Sequence, residues 1–185
     1  LDKRLIENQR VKQDIEQTLL DLMQQKPFSE ISITEITTAA NVARTSYYRN
    51  FTSKESILEA FVEALHQEVG ATINNSKNAK LMFTASNVVI SLTLYAHYRE
   101  QLLTLYDQGF GHFIQEEINR YAEDILGDMP ATSLDRYRIY FIAGGMLNTA
   151  IQWLRNGAKE SPEQIANTFV QLVAQDLTKP LNKCD

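Results

Sequence analysis

Apolar positions recur at helical spacing along almost the whole chain. Val11, Ile15, Leu19 and Leu22 share one face of a helix predicted over about Asn8 to Gln25, which Pro27 ends. Ser32-Ile-Thr-Glu35 has the pattern of a capping box, with the Ser32 hydroxyl accepting from the Glu35 N–H while the Glu35 carboxylate reaches back. A short helix from about Ile33 to Ala40 should start there. Asn41-Val42-Ala43 interrupts it, because Asn tolerates a left-handed backbone, and a second short helix spans Arg44 to Asn50. Thr52-Ser-Lys-Glu55 reads as another capping box and opens a helix to about Asn74, with Ile57, Leu58, Phe61 and Leu65 on its buried side. Further helices are predicted over about Ala79 to Tyr98, Arg99 to Tyr106, Gly111 to Leu126, Ser133 to Asn156 and Pro162 to Thr178. Gly157 suits the stop of the fourth of these, and Ser161-Pro162-Glu163-Gln164 joins an N-cap, a first-turn proline and a capping-box Gln at the start of the last.

Seven glycines and four prolines punctuate 185 residues, and β-branched alternation is almost absent, so the expected fold is all-α with about nine helices. A hydrophobic content of 44% with 22% charged residues supports packed cores and excludes disorder over most of the chain. The one cysteine, Cys184, excludes a disulfide framework and a Cys-based zinc site and fits a reducing compartment. The longest apolar-rich stretch, Leu81 to Ala96, is broken by Thr84, Ser86, Asn87, Ser91 and Thr93, and no signal-peptide pattern is present. The expectation is a soluble cytoplasmic protein with no membrane partner.

The net charge of −5 argues by itself against a nucleic-acid partner, but its distribution does not. Residues 1–57 carry eight Lys/Arg against eight Asp/Glu, and the remainder carries ten against fifteen. A neutral N-terminal stretch still binds a polyanion if its cations share one surface. Two short helices joined by a three-residue turn are an arrangement in which the first braces the DNA backbone and the second enters the major groove. Ala39 and Ala40 allow close packing, and Val42 supplies a plug beneath the turn.

Around the second short helix, Tyr47 and Phe51 lie within about 40° and define the inward side. Arg49 then points outward, Thr45 and Ser46 lie within about 60° of it, Tyr48 and Asn50 take the flanks, and Arg44 projects from the N-terminal end. Arg, Thr and Ser are competent with base edges, whereas the phenol and amide suit phosphate oxygens. Lys54 places a cation beside the first turn of the next helix, where a phosphate is favoured. Seven residues with two arginines, two tyrosines and no acid make an unusual solvated surface in so acidic a chain.

Val42-Ala-Arg-Thr-Ser-Tyr-Tyr-Arg-Asn-Phe51-Thr-Ser-Lys-Glu55 resembles the DNA-binding signature of TetR/AcrR-family transcriptional regulators, and the likeness extends over about residues 8–60. The resemblance implies DNA contacts from Arg44, Thr45, Tyr48, Arg49, Asn50 and Lys54, with the outward Ser46 and with Ser32 and Thr34 at the start of the first short helix added to the candidate set. Asn41 stands where that family usually has glycine, and Ala43 where Ser or Thr usually caps the recognition helix. The implied organisation is a helix-turn-helix head at residues 1–53 and an effector-binding and dimerisation bundle at residues 54–185, with helix 54–74 connecting the two. The implied function is a sequence-specific regulator, a repressor released by a small molecule. A co-activator that docks on a partner protein and a helical small-molecule carrier that does not bind DNA stand as alternatives.

The C-terminal likeness is carried by Gly144-Gly145, Trp153-Leu-Arg-Asn-Gly157 and Ser161-Pro-Glu-Gln-Ile165. Ala143, Leu147, Ala150 and Leu154 form one apolar stripe and Ile139, Ile142, Met146 and Trp153 another, so this helix needs cover on two sides. The expected homodimer interface comprises Ala143, Leu147, Ala150, Trp153, Leu154, Phe169 and Leu172. Phe83, Tyr95, Tyr98, Tyr106, Phe110, Phe113, Tyr137 and Phe141, with Asn148 as a polar contact, are the candidate lining of a pocket for an apolar or aromatic effector. His112 and Glu116 lie one turn apart, but two ligands do not make a metal site, and His66 and His97 lack spaced partners. No metal, cofactor or catalysis is expected, since no nucleophile motif or phosphate loop appears. The expected partner is double-stranded DNA with a near-palindromic operator.

Overall fold

The computed structural model describes residues 3–74, 84–126 and 132–177, apart from the side chains of residues 3, 74, 124–126, 135 and 172–177. Among the described residues there are helices and turns and no strand. The order is α1 (Lys3–Met23), a 3₁₀ turn (Phe28–Glu30), α2 (Ile33–Ala39), α3 (Arg44–Asn50), α4 (Glu55–Asn74), α5 (Ala85–His97), α6 (Arg99–Asp107), α7 (Gly111–Leu126), α8 (Asp135–Arg155) and α9 (Pro162–Leu177). The all-α expectation holds. The predicted start of α5 at Ala79 lies outside the described residues, and in the structure Thr84 caps the helix by accepting from the Asn87 N–H at 3.2 Å.

The chain forms two compact units, Leu1–Ala64 with Glu100–Phe113, and Leu65–Arg99 with Ile114–Asp185. The first unit therefore runs past the boundary expected at residue 53 and includes a second stretch of chain.

In the first unit, α1 packs against α2 and α3, burying Ile15, Leu19, Leu20 and Met23 with Ile36, Tyr47, Phe51, Ile57 and Leu58. Leu20 and Met23 replace Val11 and Leu22 at the centre of the predicted stripe, the latter two being half-buried. Ser32 caps α2 as expected, accepting from the Glu35 N–H at 3.1 Å. The Glu35 carboxylate is drawn chiefly to Lys26 Nζ at 2.7 Å, which holds it below the ordinary carboxylate range, with the Ser32 backbone as a lesser partner. Helix α2 ends in a reverse turn at Asn41, whose φ of 53° places it in the left-handed region. Val42 N–H donates to Thr37 O at 3.0 Å and Asn41 N–H to Thr38 O at 3.1 Å, satisfying carbonyls that the helix leaves open. The start of α4 departs from the reading by one register. Ser53 and Ser56 form the capping pair, with Ser56 N–H donating to Ser53 Oγ at 3.1 Å and Ser53 N–H to Ser56 Oγ at 3.2 Å, in place of Thr52 with Glu55.

In the second unit, α5 packs against α9 and α8. Its core holds Val88, Leu92, Ile142, Leu147, Ile151, Leu154 and Phe169. His66 meets the Tyr95 hydroxyl at 2.9 Å, and burial pushes the Tyr95 phenol up. Helix α8 stops at Gly157, whose φ is 88°, with Ala158 N–H donating to Trp153 O at 2.9 Å. The Ser161–Gln164 capping box closes both ways, at 2.8 and 3.3 Å.

Candidate nucleic-acid interface

Helix α3 separates its faces largely as the wheel requires, with Ser46, read as outward, half-buried instead. Tyr47 is 0% exposed and Phe51 is buried, while Arg44, Thr45, Tyr48 and Arg49 are exposed. The Tyr47 ring packs edge-on against Tyr48 at 5.2 Å and holds that neighbour at the rim. Arg44 Nη2 donates to the Tyr48 hydroxyl at 3.2 Å, with the guanidinium 5.7 Å from its ring centroid, and Arg49 Nη2 donates to Ser46 Oγ at 3.3 Å. Both contacts are exposed, so the guanidinium groups keep most of their donors for a ligand. Ser32 and Thr34 of α2 are exposed as well, and α3 has no acidic residue.

The Ala43 cap gives α3 no side-chain hydrogen bond. Helix α3 is instead secured from its other end. Asn50 Nδ2 donates to Ser46 O at 2.9 Å and to Asn8 Oδ1 at 3.2 Å, and Asn8 Nδ2 donates to Asn50 Oδ1 at 2.9 Å. Asn50 was expected on a phosphate-facing flank, but its amide is bound to α1. Asn8 had no distinguishing sequence signal, because an Asn among polar residues near the start of a helix carries no spacing that names its partner.

Lys54 also stands differently from the expectation. Its ammonium donates to Phe28 O at 2.9 Å and Ile31 O at 2.6 Å and lies 4.4 Å from the Phe28 ring centroid. Two carbonyls, at the first residue of the 3₁₀ turn and at the residue that follows it, occupy the charge expected to face a phosphate.

Two family models match the chain. Residues 17–61 match the N-terminal model described as bacterial regulatory proteins of the tetR family, and residues 83–175 match a transcriptional regulator C-terminal region. The chain belongs to the TetR family of transcriptional regulators. Regulators of this family bind DNA, act as dimers and respond to small molecules.

No curated protein matches this TetR-family chain by sequence. Its fold is shared with the dihydroxyacetone kinase operon activator DhaS (TM-score 0.62, 17% identity, 91% of this chain and 96% of that one). A TetR transcriptional regulator from Streptococcus agalactiae 2603V is similar at TM-score 0.63 and 18% identity, over 92% of this chain and 97% of that one. The Thermus thermophilus repressor FadR, solved with lauroyl-CoA, is similar at TM-score 0.53 and 14% identity, over 94% of this chain and 98% of that one.

The TetR-family chain places its expected dimer residues in its own core. Ala143, Leu147, Ala150, Trp153, Leu154 and Phe169 are buried within one chain, and the Leu172 side chain lies outside the described residues. Trp153 Nε1 donates to Glu160 O at 3.0 Å, so the indole serves the α8–α9 turn. Both apolar stripes read from the sequence are used in folding the monomer. A third row of α8 is left exposed, with Leu134 at 79%, Tyr137 at 69% and Phe141 at 82%, continuing through Gly145, Asn148 and Gln152.

That row also corrects the pocket set, because Tyr137, Phe141 and Asn148 face outward and cannot line an interior cavity. Tyr95 is buried and Tyr98 half-buried in the second unit, and Phe83 lies outside the described residues. Tyr106, Phe110 and Phe113 are half-buried in the first unit, where Phe110 packs at 4.6 Å on Phe28 and 5.9 Å on Phe113. No group of three His, Cys, Asp or Glu side chains able to hold a metal occurs among the described residues. None of the helices searched there is long and apolar enough to cross a membrane.

Proposed function

We propose that this regulator binds a near-palindromic operator as a homodimer, with α3 in the major groove, and represses until a small apolar or aromatic molecule bound in the second unit lowers its DNA affinity. The observation that carries this reading is the outward face of α3: Arg44, Thr45, Tyr48 and Arg49 exposed above a buried Tyr47–Phe51 side, with no carboxylate on the helix. Arg49 and Thr45 read base edges, and Tyr48, with Ser32 and Thr34, holds phosphates. Two heads need half-sites roughly 34–36 Å apart or a multiple of that. The exposed Leu134–Tyr137–Phe141 row is the reading's dimer surface. It is supported by Gly144 and Gly145, where an added Cβ meets no atom of the described residues within 4 Å, leaving room for another helix. Acyl compounds are the first effectors to screen, since the T. thermophilus relative was solved with lauroyl-CoA.

The test is selection of duplexes from a random pool, followed by titration of wild type and Arg49→Ala against selected and scrambled DNA at several salt concentrations. Arg49→Ala is expected to cost about 1–3 kcal/mol on the selected duplex and to relax preference at particular base pairs. Unchanged preference rejects the assignment of the face.

A further inference from the structure

Residues 100–113 return to the first compact unit after the chain has left it at Ala64. One side chain in this stretch makes an unusually complete set of polar contacts. Gln108 Nε2 donates to Met23 O and, at 3.3 Å, to Lys26 O, while Gln108 Oε1 accepts from the Phe28 N–H at 2.7 Å. The last carbonyls of a helix have no partner within it, so the end of α1 is capped by a carboxamide that arrives 85 residues later. Phe110 adds its edge-on contact with Phe28 at 4.6 Å. Phe28 O and Ile31 O in turn hold Lys54, and Ile31 precedes Ser32, the cap of α2.

The turn that carries Gln108 has a constrained shape. Gly109 has a φ of 90°, Phe110 N–H donates to Leu105 O at 2.9 Å, and a Cβ on Gly111 would lie 2.7 Å from the Tyr106 ring. Helix α7 begins at Gly111 and passes into the second unit at Ile114.

We propose that Gln108 is a positioning residue for DNA recognition. It sets the α1–α2 connection and, through it, the start of α2 that carries Ser32 and Thr34, so the α6–α7 turn is coupled to the DNA-facing surface. This rests on the DNA-binding reading above and adds to it a residue outside the helix-turn-helix sequence.

The test compares the full-length wild type with Gln108→Leu and Gln108→Glu by amide hydrogen exchange and by titration of duplexes selected by the wild type. In Gln108→Leu, the Phe28 amide and its neighbours over residues 24–31 should exchange about tenfold faster, equivalent to about 1.4 kcal/mol, while the α1 interior around Ile15 keeps its protection. Affinity for the selected duplex should fall about tenfold, with less effect on scrambled DNA. Gln108→Glu supplies a rescue that a purely space-filling role does not give. Its carboxylate faces two carbonyls at neutral pH, but once protonated it donates again, so its affinity relative to wild type should recover as the pH is lowered. Unchanged exchange over residues 24–31, undiminished affinity of Gln108→Leu, or a Gln108→Glu deficit that does not recover with pH overturns the proposal. A wild type that selects no duplex overturns the DNA-binding reading itself, which is a distinguishable failure.

Discussion

The carboxamides of Asn8 and Asn50 form a reciprocal pair between α1 and the end of α3, at 2.9 and 3.2 Å. A pair of this kind satisfies a donor and an acceptor on each side, and removing one partner strands the other. Asn8→Ala and Asn50→Ala should each cost about 1 kcal/mol of stability, and the double variant less than their sum by about 0.5–1 kcal/mol. Urea denaturation of the four proteins measures this, and strict additivity rejects the pair.

Lys54→Met should act on stability and leave the salt dependence of DNA binding unchanged. Its ammonium serves Phe28 O and Ile31 O, two hydrogen bonds from a charged donor, so the loss should be about 2 kcal/mol. A decrease of about one unit in the slope of log affinity against log salt would instead return Lys54 to a phosphate.

Tyr47 is fully buried and its hydroxyl has no hydrogen-bond partner among the described residues. An orphaned buried polar group costs about 1–3 kcal/mol, which phenylalanine avoids while filling nearly the same space. Tyr47→Phe is therefore expected to raise stability by up to about 1 kcal/mol. A drop in melting temperature reveals a partner for the hydroxyl.

Burial raises the Glu16 carboxyl from 4.5 to about 7, against the opposing pull of Lys12 one turn earlier. Between those values the folded chain binds its proton more tightly than the unfolded chain, so stability falls as pH rises through this window. The penalty is complete above about 7 and absent below about 4.5. Glu16→Gln should stabilise by about 1 kcal/mol at pH about 8, after discounting for solvent screening, and by little at pH about 4.5. Equal effects at both pH values reject the shift.

Phe141→Glu, in the exposed row of α8, should give a folded monomer, because it leaves the chain's own core untouched. Leu154→Arg should unfold the second unit, since Leu154 is 0% exposed and an unpaired buried charge is strongly destabilising. Sedimentation together with circular dichroism separates the two outcomes. A dimeric Phe141→Glu protein moves the interface elsewhere.

Much of what depends on short-range periodicity and capping was legible in the sequence, although the α4 cap falls one residue later than its pattern suggested. The bounds of α3 and α7, the Ser32 and Ser161 caps, the left-handed Asn41 and the inward Tyr47–Phe51 side all follow from neighbours within four residues. The outward position of Thr45 and Arg49 was legible for the same reason, whereas Ser46, read as outward with them, is half-buried. Long-range pairings were not. The attachment of Asn50 to Asn8, of Lys54 to two carbonyls and of Gln108 to the end of α1 joins groups 23 to 85 residues apart, and a polar side chain in a helical pattern does not announce which distant acceptor it will meet. Sequence periodicity also showed that α8 is apolar around most of its girth. Only tertiary packing decided which rows the monomer buries, because that choice depends on where α5 and α9 lie, and it left Tyr137 and Phe141 rather than Leu147 and Leu154 facing outward.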